Sequence, residues 1–144
     1  MPVPIWAARY IGLPFLDHGR DRAGLDCWGL VRLAVGEQFN ISLPAFLGEY
    51  KTSIDTASIA ALVEREALLW MPVRPSEERL GDVIVLRLKG QPVHVGLVLG
   101  DMQMLHVEQG VDSAIEKYSS PRWKDRIYGF YRYEPFDDTA KHIF

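Results

Sequence analysis

Helices first and an antiparallel sheet second, an α+β fold, is what the sequence predicts, and three observations predict it. Apolar residues in the first half recur at helical spacing. Beyond Gly81 the period drops towards two, in β-branched and aromatic runs. The connections between those runs are too short for crossovers, which makes neighbouring strands antiparallel. At 144 residues, 48% of them hydrophobic, the chain is long enough for one core, and residues 1–144 read as a single domain without internal repeats.

Residues 5–11, IWAARYI, follow Pro4 and suit a short helix, and a loop dense in turn formers and charges, GLPFLDHGRDRAG, comes next. Asp26 is a good N-cap for a segment apolar nearly all round, with Trp28, Leu30, Val31, Leu33, Ala34 and Val35, so this helix is expected inside the core. Gly29 and Gly36 weaken it by propensity, and close packing is expected to explain at least one of them. After a loop near Pro44, Asp55 caps an amphipathic surface helix whose apolar face is Ile59, Leu62, Val63 and Trp70, with a stop at Pro72. The strands are DVIVLRL, VHVGLVLG, MQMLHVEQ and RIYGFYRYE, the first three separated by the turns KGQP and GDMQ. The last residues, DDTAKHIF, are expected to fray.

A net charge of −3 gives no general attraction to polyphosphate, which sets nucleic acid aside as a partner. The start, MPVPIWAARYIGLPFL, is too short and too interrupted by Pro2, Pro4, Arg9 and Pro14 to span a membrane, and it lacks the basic region of a secretory signal. The expectation is a protein made in the cytoplasm, with any work beyond it dependent on another carrier.

Cys27 is the only cysteine, so no internal disulfide forms. It stands at a helix start, where the macrodipole and free N–H groups favour thiolate and, with a histidine nearby, bring the pKa to roughly 3.5–7.5. Asp26 opposes that effect if its carboxylate lies close. His94 on one strand is the candidate general base and acid, and His106 on the next is the candidate that orients it. The two histidines share a face only if the hairpin register is even, through a three-residue loop at 100–102 or one bulge. Asp101-Met102 does not suit a tight primed turn, which favours the longer loop.

The competing reading of Cys27 is simple packing, since free cysteines are among the most buried residues, and strand histidines often serve as hydrogen-bonded core. Tyr10, Phe15 and Trp28 are core or rim aromatics by default, and His18 and His142 are read as surface. Arg20 and Arg22 form a charge cluster in the loop before Cys27, with the capacity to bind a carboxylate. A Cys-His-His set suits zinc, yet the local chelating spacings CxxC, HxxxH and HExxH are missing, so neither a metal nor an organic cofactor is expected.

RYIGLPF at 9–15, GLDCWGLVRL at 24–33, RLGDVIVLRL at 79–88, HVGLVLG at 94–100 and LHVEQGV at 105–111, in this order, make the chain resemble the NlpC-like cell-wall peptidases. These are papain-like cysteine hydrolases of peptidoglycan, and the likeness is greatest to the compact versions in phage tails and gene-transfer particles. The resemblance implies a cysteine-bearing helix packed on a central antiparallel sheet, with Cys27, His94 and His106 as the catalytic set. It implies hydrolysis of a stem-peptide bond, typically that between D-γ-glutamyl and a diamino acid, through an acyl-enzyme. Tyr10 and Asp26 match positions that in some members hold substrate, Asp26 by pairing with a free stem amine. Trp28 replaces the family's usual serine, as in the phage-type subset, and belongs to the site wall.

The implied partners are the peptidoglycan stem peptide and the proteins of a phage-like tail, on which the enzyme would reach the wall. Two other readings stand beside this one. One is a structural or adaptor tail protein that keeps the fold and works by binding. The other is a different Cys-His amidase or acyltransferase.

Overall fold

The computed structural model describes residues 2–52 and 55–133. Ile5–Tyr10 forms a short 3-10 helix rather than an α-helix. Two residues of β1 (Arg20–Asp21) pair with two of β2 (Gly24–Leu25), and the chain then enters α1 (Cys27–Phe39). After α2 (Thr56–Ala67) come β3 (Met71–Val73), β4 (Val83–Leu88), β5 (Gln91–Gly100), β6 (Gln103–Glu108), β7 (Val111–Lys117) and β8 (Ile127–Arg132). The last six strands form one sheet of order β3-β8-β4-β5-β6-β7, antiparallel throughout, so the predicted α+β class holds.

Both predicted caps form. Asp26 accepts from the Gly29 N–H at 2.8 Å and Asp55 from the Ser58 N–H at 3.4 Å, each satisfying one free donor of its helix start. Helix α2 ends at Ala67, five residues before the expected stop, and Pro72 lies instead in β3, at the edge of the sheet where its missing N–H is tolerated. β7 escaped the pattern reading because VDSAIEK is the opposite edge strand and largely polar. The expected fraying at 137–144 lies outside the described residues.

The sheet's two faces have different jobs. Val83, Val85, Val95, Leu97 and Leu105 meet Leu30, Val31, Ala34 and Val35 of α1, while Ile84, Leu86, Val98, Met104 and Phe130 gather round the fully buried Trp123. Burying each large apolar side chain contributes about 1.5–3 kcal/mol, which is why α1 is apolar on nearly every side.

The β5–β6 connection is a two-residue turn, contrary to the longer loop expected: Asp101 and Met102 both take left-handed conformations, with φ of 52° and 58°. A bulge between Val98 and Gly100 then changes the register, so that Leu97 faces Leu105 and Val98 faces Met104. His106 thereby shares a face with His94, which a bulge-free two-residue hairpin would forbid.

Close approach explains one helix glycine. A Cβ on Gly29 would lie 2.0 Å from the Gly19 carbonyl oxygen, whereas the nearest atom to a Cβ on Gly36 would be the Ile41 carbonyl oxygen at 3.7 Å. Gly29→Ala is expected to destabilise by about 2–3 kcal/mol or more, and Gly36→Ala to be neutral or stabilising by up to about 1 kcal/mol. Urea unfolding of the two variants checks the contrast; equal effects would contradict it.

Candidate active site

The start of α1 is fixed by a buried cluster. The Asp26 carboxylate, 3% exposed, accepts from the Gly29 N–H, from Arg20 Nη1 at 2.7 Å and from the Tyr50 hydroxyl. Arg20 also donates to Tyr50 Oη at 2.8 Å and to the carbonyl oxygens of Gly19 and Ala45. Burial, together with the Asp26 charge, raises the Tyr50 pKa well above the usual phenol range despite Arg20, so the hydroxyl stays a donor. His18 stacks on Tyr50 at 4.5 Å and its Nε2 lies 2.7 Å from the Tyr50 carbonyl oxygen; it is a docked residue, not the surface histidine expected. His142 lies outside the described residues.

This geometry changes two expected roles. Both Asp26 oxygens are engaged internally, so the carboxylate is not waiting free for a substrate amine. Arg20 is enclosed with it, while Arg22 pairs with Glu37 at 3.1 Å on the surface. Tyr10 is fully buried and outside the cleft that Cys27 lines: its hydroxyl donates to Glu37 at 2.7 Å and accepts from Gln38 at 2.9 Å, and its ring meets Trp6 edge-on. Two partners near the end of α1 hold Tyr10 in the core and correct the substrate-binding role expected of it.

Cys27 opens onto a cleft between the sheet, α1 and α2. Phe15, Trp28, Phe46, Ile59, Trp70 and Val93 are among its walls, which are overwhelmingly apolar. Trp28 does stand in the site wall as expected, fixed by an indole N–H bond to the Pro44 carbonyl oxygen at 2.7 Å and ring contacts to Phe46 and Trp70. The nearby backbone N–H groups of Val95 and Trp28 favour the thiolate, but burial and then the Asp26 charge outweigh them and push the Cys27 pKa up to about 12. The helix start therefore does not yield the lowered pKa expected of it, because desolvation exceeds the dipole's effect.

The histidines form a chain. His94 Nε2 and His106 Nδ1 are 2.9 Å apart, and His106 Nε2 lies 2.8 Å from Glu116 Oε1. Trp123 stacks against His94 with ring centroids 5.5 Å apart and presents its ring edge-on to His106 at 5.4 Å. Arg122 lies over the Trp123 ring and clamps Glu108 at 2.6 and 2.7 Å. Burial, followed by the charges of His106 and Arg122, pushes the His94 pKa down to about 3; burial also lowers that of His106, against the pull of Glu116 and Glu108. Both rings are neutral at pH 7.

The sequence-predicted histidines thus meet each other, and Cys27 meets the strand that carries the first of them. Val93 and Val95 line the cleft with Cys27, and the N–H of Val95, the residue following His94, is near enough to favour the thiolate. Among the described hydrogen bonds none joins the thiol to His94. Ligating atoms of His94, His106 and Glu108 come within 4.8 Å of one another, while the histidines bond to each other and Glu108 pairs with Arg122. Tyr50, Glu116, Arg122 and Trp123 went unseen in the sequence, since each lies in a loop or in the polar edge strand.

A helix that begins with Cys27 and packs on one six-stranded antiparallel sheet, whose β5 and β6 carry a bonded pair of histidines, defines the class of the fold. The chain belongs to the NlpC/P60 family, whose model matches residues 12–132. MepS of Escherichia coli K12, a murein DD-endopeptidase and murein LD-carboxypeptidase, is 26% identical over 119 residues, covering 83% of this chain and 55% of that protein. A probable endopeptidase of Haemophilus influenzae is 22% identical over 121 residues, covering 83% of this chain and 65% of that protein. The chain thus spans between about half and two-thirds of the curated relatives it matches. Among solved structures, an NlpC/P60 family protein from Bacillus cereus shares the fold with a TM-score of 0.65 at 21% identity, over 92% of this chain and 41% of the other. The NlpC/p60 domain of the peptidoglycan hydrolase SagA does so with a TM-score of 0.57 at 22% identity, over 78% and 84%.

Two histidines held neutral in the fold make it acid-sensitive. Below about pH 6.5 the unfolded chain protonates at His94 while the folded chain resists until about 3, so the unfolded state binds more protons and stability falls as pH drops across that window. Urea midpoints at pH 7 and pH 5 are expected to differ less in His94→Asn than in the parent. Equal differences would contradict the assignment.

Proposed function

We propose that the protein is a cysteine peptidase of peptidoglycan, cutting stem peptides at the D-γ-glutamyl to diamino acid bond through an acyl-enzyme. The observation that carries this reading is the Cys27 thiol at the start of α1 lying near the β5 backbone at Val95, the residue next in the chain to His94, whose neutral ring is bonded to His106. Membership of the family and the named activities of its murein relatives support the substrate class.

Because thiol and imidazole both rest uncharged, proton transfer accompanies attack. The sulfur adds to the scissile carbonyl carbon as His94 Nδ1 takes the thiol proton. The backbone N–H of Cys27, at a helix start where donors are free, stabilises the oxyanion. Collapse breaks the C–N bond, and His94 delivers its proton to the leaving amine. Water then attacks the thioester, giving a proton to His94, and the carboxylic product leaves as the thiol is restored.

The apolar cleft favours a second reading, a Cys-His acyltransferase or amidase acting on an apolar acyl group. Mass spectrometry of purified muropeptides, with free and blocked N-termini, separates these. The parent is expected to release products that place the cut at the γ-glutamyl bond, and Cys27→Ala none. Cuts at a cross-link or at a terminal D-alanine would move the specificity to the bonds named for the E. coli relative. No product at any pH with reductant present, alongside turnover of acyl esters or amides, would establish the second reading; no turnover of either would leave a binding or adaptor role. We also propose delivery on a phage-like tail, on the strength of the motif resemblance, and the same assay on purified particles and cleared lysate tests it: activity confined to lysate would overturn that route.

A further inference from the structure

We propose that Glu116 is a positioning residue: its carboxylate fixes the tautomers of both histidines and thereby makes Nδ1 of His94 the basic nitrogen. The catalytic half of this inference rests on the reading of His94 as general base; the tautomeric half stands without it.

β7 supplies the geometry. His106 pairs with Ala114 and Met104 with Glu116, so Glu116 lies diagonally from His106 on the same face of the sheet and reaches its outer nitrogen. Partial burial works against the charged carboxylate, but the bond from His106 and the nearby charge of Arg122 prevail and keep its pKa below the usual range. An ionised carboxylate only accepts.

From that acceptor the direction of every bond in the chain follows. His106 Nε2 must be the nitrogen that carries hydrogen. A neutral imidazole has one N–H, so His106 Nδ1 is an acceptor. His94 Nε2, 2.9 Å away, must then donate, and the single hydrogen of the neutral His94 ring is spent there. Nδ1 is left with its lone pair, the state a general base requires. Arg122 steadies the arrangement, with Nη1 3.4 Å from the same Glu116 oxygen and Nη2 held by Glu108. Without Glu116 the two-histidine chain runs equally well in reverse, with hydrogen on His94 Nδ1 and no lone pair left on that nitrogen.

Two measurements test this. Long-range ¹H–¹⁵N spectra of Cys27→Ala protein, which needs no turnover, are expected to show His94 and His106 protonated at Nε2 alone, and mixed tautomers once Glu116→Ala is added; unchanged tautomers would overturn the proposal. In the active protein, Glu116→Ala is expected to lower kcat/KM about ten-fold or more, chiefly through kcat. The same change in a His106→Asn background is expected to cost little, because the asparagine carbonyl accepts from His94 Nε2 without help. Equal losses in both backgrounds would show that Glu116 acts on folding or the surface, not through His106. Failure of the parent to turn over would count against the peptidase reading, while the spectra alone would still decide the tautomers.

Discussion

The carboxylate of Asp26 holds the first half of the site together. It caps α1, pairs with Arg20 from β1 and takes the hydroxyl hydrogen of Tyr50 from the loop beyond α1. Removing the guanidinium would strand a buried charge, a loss of about 3–5 kcal/mol in comparable buried pairs, so three remote segments depend on one contact. The same contact positions Cys27, the next residue, and adds a negative charge that opposes a free thiolate. The protein accepts a thiol that is harder to ionise in exchange for one that is firmly placed.

The second half of the site depends on the backbone irregularity between Val98 and Gly100. A regular two-residue hairpin would send His106 to the α1 side of the sheet, away from His94. One extra residue in β5 puts the rings on the same face, and Trp123 closes over them. That enclosure keeps both rings neutral, which matches a mechanism in which His94 gains its proton only as the sulfur attacks.

Much of this was legible in the residues themselves. Periodicity located both helices and four of the strands, and the caps at Asp26 and Asp55 were readable from residue type and position. The even register is a condition that the His94–His106 pair imposes on the hairpin, and of the two ways to meet it the structure uses the bulge, with a left-handed Asp101-Met102 turn that those side chains do not prefer. Tyr10 is a core aromatic, as its residue type suggests, and motif position says nothing about that burial: Glu37 and Gln38, on a helix face, hold its hydroxyl. Glu116 and Tyr50 were invisible because their partners lie across the sheet and across a loop, and no local period marks such contacts.

The thiol's role as nucleophile is the claim that most directly joins this geometry to chemistry. Acid quenching of the reaction with a stem peptide within the first turnovers, followed by peptide mapping, measures it. An added mass equal to the acyl half of the substrate is expected on the peptide containing Cys27. Product formation with no adduct there, continuing in Cys27→Ala, would contradict it.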